Sequence, residues 1–209
     1  MTDLSPGNLR RQLEVTRFER AVEVVESMAE HRALLTIAEL KRINNILTGK
    51  EDEDPWRQEP VTLQLPSGRS ETFSLVSDPR VSTRDKLHRA TELCQAGHVI
   101  DAAVEIYVGF VLLHAFKDAN RRTAVLTAHY FLQRYGAPIS GLALHELGLG
   151  DVRQIEQVEN LRDTIRQMAK FAQKRSTETS VPPAETQKVG TSEGSGSTVI
   201  QPDFGRKKT

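Results

Sequence analysis

From Val99 to His114 the chain reads Val-Ile-Asp-Ala-Ala-Val-Glu-Ile-Tyr-Val-Gly-Phe-Val-Leu-Leu-His, an apolar run broken only by Asp101 and Glu105. At helical pitch the apolar side chains extend almost all round the cylinder, which suits a helix enclosed by other elements. The run is too short for a membrane span, which takes ~20 apolar residues. The remaining chain must therefore supply amphipathic partners to surround it. Leu9 to Leu35 carries Leu13, Phe18, Ala21, Val22, Val25 and Met28 at helical steps, with Arg10, Arg11, Glu14, Glu19, Glu23 and Glu26 filling the rest. Thr36 to Leu47 follows, with Thr36 and Glu39 spaced as a capping box and Gly49 as a stop. Further helices are expected over Thr83 to Ala96, Arg121 to Tyr135, Leu142 to Leu147 and Val152 to Gln173. Only Val61 to Leu65 and Thr72 to Leu75 alternate as strands do, around the turn residues Pro66-Ser-Gly-Arg69. The expected fold class is mainly α, a helical bundle with one inserted β-hairpin.

The last segment differs in texture. Ser176 to Thr209 is rich in Ser, Thr, Gly and Pro, and no aromatic precedes Phe204. It offers too little apolar surface to offset ordering entropy, so residues 176–209 are expected to be a disordered tail. The tail accounts for part of the low hydrophobic fraction, 38%, and the mean hydropathy of −0.43. Residues 34–175 are expected to form the main domain and residues 1–33 an N-terminal helical extension. The 28 basic and 28 acidic residues cancel to a net charge of +0, which offers no field for capturing nucleic acid or an anionic membrane. Cys94 stands alone, so neither a disulfide framework nor a multi-cysteine metal site is available within the chain. The histidines His31, His88, His98, His129 and His145 show no metal spacing. No apolar signal-peptide core is readable in the first residues, and a cytoplasmic setting, or delivery into another cell's cytoplasm, is expected.

Chemistry concentrates in His114-Ala-Phe-Lys-Asp-Ala-Asn-Arg-Arg122. A histidine ends the apolar helix, and Asp118, Asn120, Arg121 and Arg122 surround the start of the next. A helix start presents N–H groups that lack intrahelical partners and carry positive partial charge, which seats anions. Arg122 supplies a planar fork suited to phosphate oxygens, and Asn120 a neutral amide. Asp118 is the kind of single carboxylate that holds Mg²⁺ together with substrate phosphates. The ordinary pKa of a histidine suits His114 to accept a proton from an attacking hydroxyl. Base, carboxylate and anion seat together describe phosphoryl or nucleotidyl transfer.

This segment resembles the signature of the Fic/Doc family, HxFx(D/E)GNGRxxR in the Fic branch. His114, Phe116, Asp118, Asn120 and Arg122 match. Ala119 and Arg121 replace the glycines, and Val125 stands where the second arginine belongs. Those departures resemble the Doc branch, HxFx(D/N)ANKR. Trp56-Arg57-Gln-Glu-Pro-Val61 is similar to the aromatic–Arg–x–x–x–Val run that opens the substrate-binding flap of Fic proteins, and the hairpin lies where the flap belongs. The resemblance covers roughly Leu34 to Phe171.

It implies a Fic-fold, ATP-dependent transferase acting on a Ser, Thr or Tyr hydroxyl of a target protein. His114 is then the general base, Asp118 the Mg²⁺ ligand and Phe116 the anchor of the loop. Ala119, Asn120, Arg121 and Arg122 bind phosphates or nucleotide. The flap residues Trp56, Arg57, Val61 and Leu63 receive the target as an added strand. The cofactors implied are ATP, or another nucleoside triphosphate, and Mg²⁺. A Cβ at position 119, a long side chain at 121 and the missing second arginine favour Doc-like phosphoryl transfer, a toxin-like kinase, over transfer of AMP. A non-catalytic module binding a nucleotide or a partner is a further alternative. Many Fic proteins carry an inhibitory (S/T)xxxE(G/N) helix, and neither terminal region has that string. Control by a separate antitoxin or inhibitor chain, or none, is the expectation.

Overall fold

The computed structural model describes residues 5–64, 68–75, 77–147 and 151–179. Local signals set most element ends. Ser5 caps α1 (Pro6–Glu30), accepting the Asn8 backbone N–H. Thr36 caps α2 (Ile37–Thr48) by accepting the Glu39 N–H, and Gly49 closes it at φ 70°, a left-handed conformation that glycine adopts without strain. The hairpin pairs β1 (Val61–Gln64) with β2 (Ser70–Phe73) antiparallel, Val61 opposite Phe73 and Leu63 opposite Glu71. Leu65, Pro66 and Ser67, read above as strand end and turn, lie outside the described residues. Strand β2 sits two residues earlier than the alternation of residues 72–75 suggests.

Helix α3 (Pro79–Gln95) starts well before the expected Thr83. Asp78 caps it through the Arg80 N–H at 2.8 Å, and Pro79 follows as a first-turn proline. The remaining helices are α4 (Val99–Leu113), α5 (Asn120–Arg134), α6 (Gly141–Glu146) and α7 (Ile155–Thr179). Helix α7 runs into the segment expected to be tail, and residues 180–209 lie outside the described residues. Seven helices and one two-stranded antiparallel hairpin make up the described residues.

Helix α4 packs mainly against α5 and α3, and α5 also against α1 and α2. The most enclosed helix is α5, not the more apolar α4. Every residue from Thr123 to Leu132 is buried, while α4 leaves Leu112 exposed. Two buried threonines of α5 are satisfied internally. Thr127 Oγ1 donates to the Thr123 carbonyl at 2.8 Å, and Thr123 Oγ1 accepts from Asn44 Nδ2 at 3.0 Å. Helix α1 contributes Phe18, Ala21, Val22, Val25, Met28 and Ala29 to the same core, so it is integral to the fold and not an appendage. Among the described residues no helix is long and apolar enough to cross a membrane.

Candidate active site

His114 terminates α4 in a left-handed conformation, φ 49° and ψ 51°. That turns the chain sharply into the connection of residues 115–119 leading to α5. The connection is braced from two sides. Residues 55–57 run antiparallel to residues 115–117: Arg57 N–H donates to the Ala115 carbonyl at 3.1 Å and Lys117 N–H to Pro55 at 2.9 Å. On the other side Asn44 Nδ2 of α2 donates to the Asp118 carbonyl at 2.9 Å. Phe116 is 1% exposed, its ring 4.4 Å from the Trp56 ring, and it seats the loop in the core.

Ala119 is the N-cap of α5, also left-handed at φ 57°, and it offers no side chain to the first-turn amides. The start of α5 thus keeps its donors for another acceptor. Its own N–H donates to Asp118 Oδ1. The Asp118 carboxylate is otherwise open to solvent, with Arg122 Nη2 3.7 Å away. Arg122 is three-quarters buried, and its Nη1 is buried without a hydrogen-bond partner. Both residues line a cleft of ≈ 420 Å³, closed on the far side by Leu9, Arg10, Leu13, Glu14 and Arg17 of α1. The Arg121 side chain turns the other way and hydrogen-bonds the Tyr107 side chain.

Asn120 is not free to serve only a phosphate. Its Oδ1 accepts the Phe116 N–H and its Nδ2 donates to the Phe116 carbonyl, both at 2.8 Å, so the amide shapes the loop.

The hairpin lies over His114. The Phe73 ring of β2 stacks on the His114 imidazole at 4.6 Å, tilted by 30°. Val61 and Leu63 are half-buried on that inner face. From the sequence Trp56 either pins the flap base or meets a target, and Arg57 belongs to the target-binding flap. At 3% and 4% exposure both lie beneath the hairpin, because their strand pairs with the 115–117 segment. Burial holds the His114 pKa below the ordinary histidine value, and the Arg57 cation lowers it further. A hydrogen bond with the Val111 backbone and the charge of Glu71 act in the opposite direction. Burial thus favours the neutral imidazole of His114 at physiological pH. Glu71 is itself held by Arg153, whose guanidinium also lies 5.7 Å from the Phe73 ring centre.

Asn44, Glu71 and Phe73 join this site without having been singled out in the sequence. A pair of asparagines within the apolar stripe of α2 is the signal that marks Asn44, since asparagine is unfavourable inside a helix without a partner. Cys94 is buried away from the site, with its thiol pushed up to about 12 by burial. No group of three or more His, Cys, Asp or Glu among the described residues is arranged to hold a metal.

Comparison with known proteins agrees with this geometry. Residues 34–132 match the Fic/DOC family. A uridine 5'-monophosphate transferase of Xanthomonas campestris pv. campestris is 30% identical over 136 residues, covering 59% of this chain. The chain spans only 25% of that relative's length. A Fic domain containing signaling protein from Bacteroides thetaiotaomicron superposes with a TM-score of 0.56 at 18% identity, over 79% of this chain and 72% of its own. Fic-1 from C. elegans does so with a TM-score of 0.53 at 17% identity, over 87% and 56%. The helical body and its hairpin are a Fic fold, and the chain carries a Fic/DOC family domain across residues 34–132.

Proposed function

We propose that this chain is a nucleoside-triphosphate-dependent transferase that attaches a nucleoside monophosphate to a Ser, Thr or Tyr hydroxyl of a target protein. The observation that carries the proposal is the pairing of a neutral, flap-covered His114 with an uncapped α5 start bearing the unsatisfied Arg122 Nη1. The first can take a proton from a hydroxyl, and the second can seat the phosphates that the hydroxyl attacks. The target segment lies along the hairpin as an added strand, its hydroxyl delivered beside Phe73 and His114. Its oxygen bonds to the α-phosphorus, the bond to the bridging oxygen breaks, and pyrophosphate leaves. His114 receives the hydroxyl proton. Arg122 and the first-turn amides of α5 balance the charge that builds on the phosphate oxygens.

Asp118 fits Mg²⁺ of the kind that arrives with a nucleotide. It is a single exposed carboxylate beside the phosphate seat, without the companion ligands of an all-protein cage. When bound, the ion would neutralise phosphate charge.

Two observations favour different bonds. The likeness to a uridine 5'-monophosphate transferase supports transfer of the nucleotidyl group. The buried Val125 in place of a second arginine supports the second reading, a Doc-like transfer of the γ-phosphate. The wider likeness to the transferase weighs more than the departures at Ala119, Arg121 and Val125.

The test is incubation of the purified chain with a cell lysate and UTP or ATP, labelled in the α or the γ position. Protein bearing α label and no γ label is expected. Label from the γ position alone establishes the kinase instead, and label from neither leaves a binding module.

A further inference from the structure

Arg57 is 4% exposed, yet among the described residues no carboxylate pairs with its guanidinium. Four backbone carbonyls surround it instead. Nη1 donates to Glu59 at 3.1 Å and Phe73 at 2.8 Å, and Nη2 to Ser74 at 3.0 Å and Leu113 at 3.2 Å. The backbone N–H of the same residue donates to the Ala115 carbonyl at 3.1 Å. Leu113 and Ala115 are the residues on either side of His114. His114 itself sits at φ 49°, a conformation that costs a residue with a Cβ ~1–2 kcal/mol and persists only where the surroundings enforce it.

The remaining contacts lead to the flap. Phe73 and Ser74 lie at the end of β2, and the Phe73 ring covers the imidazole. A single residue thus ties the peptide before His114 and the strand above it through its buried side chain, and the residue after His114 through its backbone N–H. The carbonyl end of α4 carries negative partial charge, which offsets part of the cost of burying the cation. Arginine suits the position because its planar fork spans several acceptors at once, whereas a lysine ammonium acts as a point charge.

We propose that Arg57 is the positioning residue of the His114 base, holding its left-handed backbone through the flanking carbonyls and keeping the flap seated on its ring. The inference rests on the reading of His114 as base. A clamp that only stabilised the fold would leave the chemistry of the ring unchanged in any variant that still folds.

The experiment compares Arg57→Met and Arg57→Lys with the unaltered chain. The His114 ring is followed by NMR on histidine-labelled protein across pH, with the signal assigned by its loss in His114→Ala. Transfer of α label from UTP or ATP to lysate protein is measured alongside. Of the charged groups facing the ring, Arg57→Met removes the cation and leaves Glu71, itself paired with Arg153. The His114 titration is expected to move to higher pH in Arg57→Met. In Arg57→Lys the charge stays, and the His114 ring signal is expected to shift as its orientation changes. Transfer is expected to fall about tenfold or more in both, with nucleotide KM nearly unchanged. Folded variants that keep both the wild-type ring signal and the wild-type rate overturn the proposal. If Arg57→Met does not fold, Arg57→Lys decides by the same criteria. If the unaltered chain transfers no label, the transferase reading fails, and the ring signal alone then decides for or against Arg57.

Discussion

The Asn120 carboxamide and the Phe116 peptide form a two-bond ring, Oδ1 to the N–H and Nδ2 to the carbonyl, each at 2.8 Å. It closes the connection between α4 and α5 and fixes where α5 begins. The start of α5 can then face a ligand without a capping side chain, because the loop is held from within. An asparagine that the motif suggests as a phosphate grip thereby acts first on the shape of the anion seat.

Replacing this amide should weaken the fold measurably. Asn120→Ala leaves a buried N–H and a buried carbonyl of Phe116 without partners, at a cost of roughly 1–3 kcal/mol each before relaxation or water entry. Asn120→Asp keeps an acceptor for the N–H but turns a second oxygen toward the carbonyl. Urea unfolding is expected to rank the unaltered chain above both variants by at least ~1 kcal/mol. Equal midpoints would show that the loop is held by other contacts.

Ala119 offers the opposite effect. Its φ of 57° is costly for a residue with a Cβ and free for glycine. Ala119→Gly should raise stability by about 1 kcal/mol, the relief of strain exceeding the extra entropy of the unfolded chain. The unfolding midpoint should rise. A fall would mean that contacts of the buried Cβ outweigh its backbone strain.

Transfer activity should follow the protonation of His114. Its pKa is lowered first by burial and then by Arg57, so the neutral base persists below the ordinary histidine value near 6.5. The rate is expected to be level through neutral pH and to fall only at pH values below the ordinary histidine value near 6.5. His114→Ala should abolish transfer at every pH while leaving the circular dichroism spectrum intact. Residual activity at the wild-type level in that variant would remove His114 from the reaction.

Much of this was legible in the chain, for identifiable reasons. The apolar run of α4, the cap of α2 at Thr36 with its stop at Gly49, and the loop from His114 to Arg122 depend on short-range chemistry, and each lies where the sequence places it. The start of α3 was missed because Asp78-Pro79 reads equally as a turn, although it is also a cap followed by a first-turn proline. The dominance of α5 was hidden because Thr123, Thr127 and His129 lower its apolar character, and only the fold supplies their partners. Arg57 shows the same limit. Next to a flap motif an arginine suggests a surface contact, and only tertiary structure reveals the carbonyls around it.

His129 carries the last prediction. It is fully buried on α5, and its Nε2 meets Glu26 Oε1 of α1 at 3.1 Å. Burial lowers its pKa more than the Glu26 carboxylate raises it, so the ring is neutral in the fold. The unfolded chain, with an ordinary value near 6.5, then binds a proton that the folded chain refuses. Stability should be full above about pH 6.5 and decline as pH falls toward the lowered value in the folded state. Urea midpoints measured at pH 7.5 and 5.5 should show the drop. His129→Gln, which can keep a hydrogen bond to Glu26 but cannot titrate, should reduce the difference between the two midpoints. It should not abolish it, because His114 and His145 are also held low by burial. A chain equally stable at both pH values would show that the junction of α1 and α5 accommodates a charged imidazole.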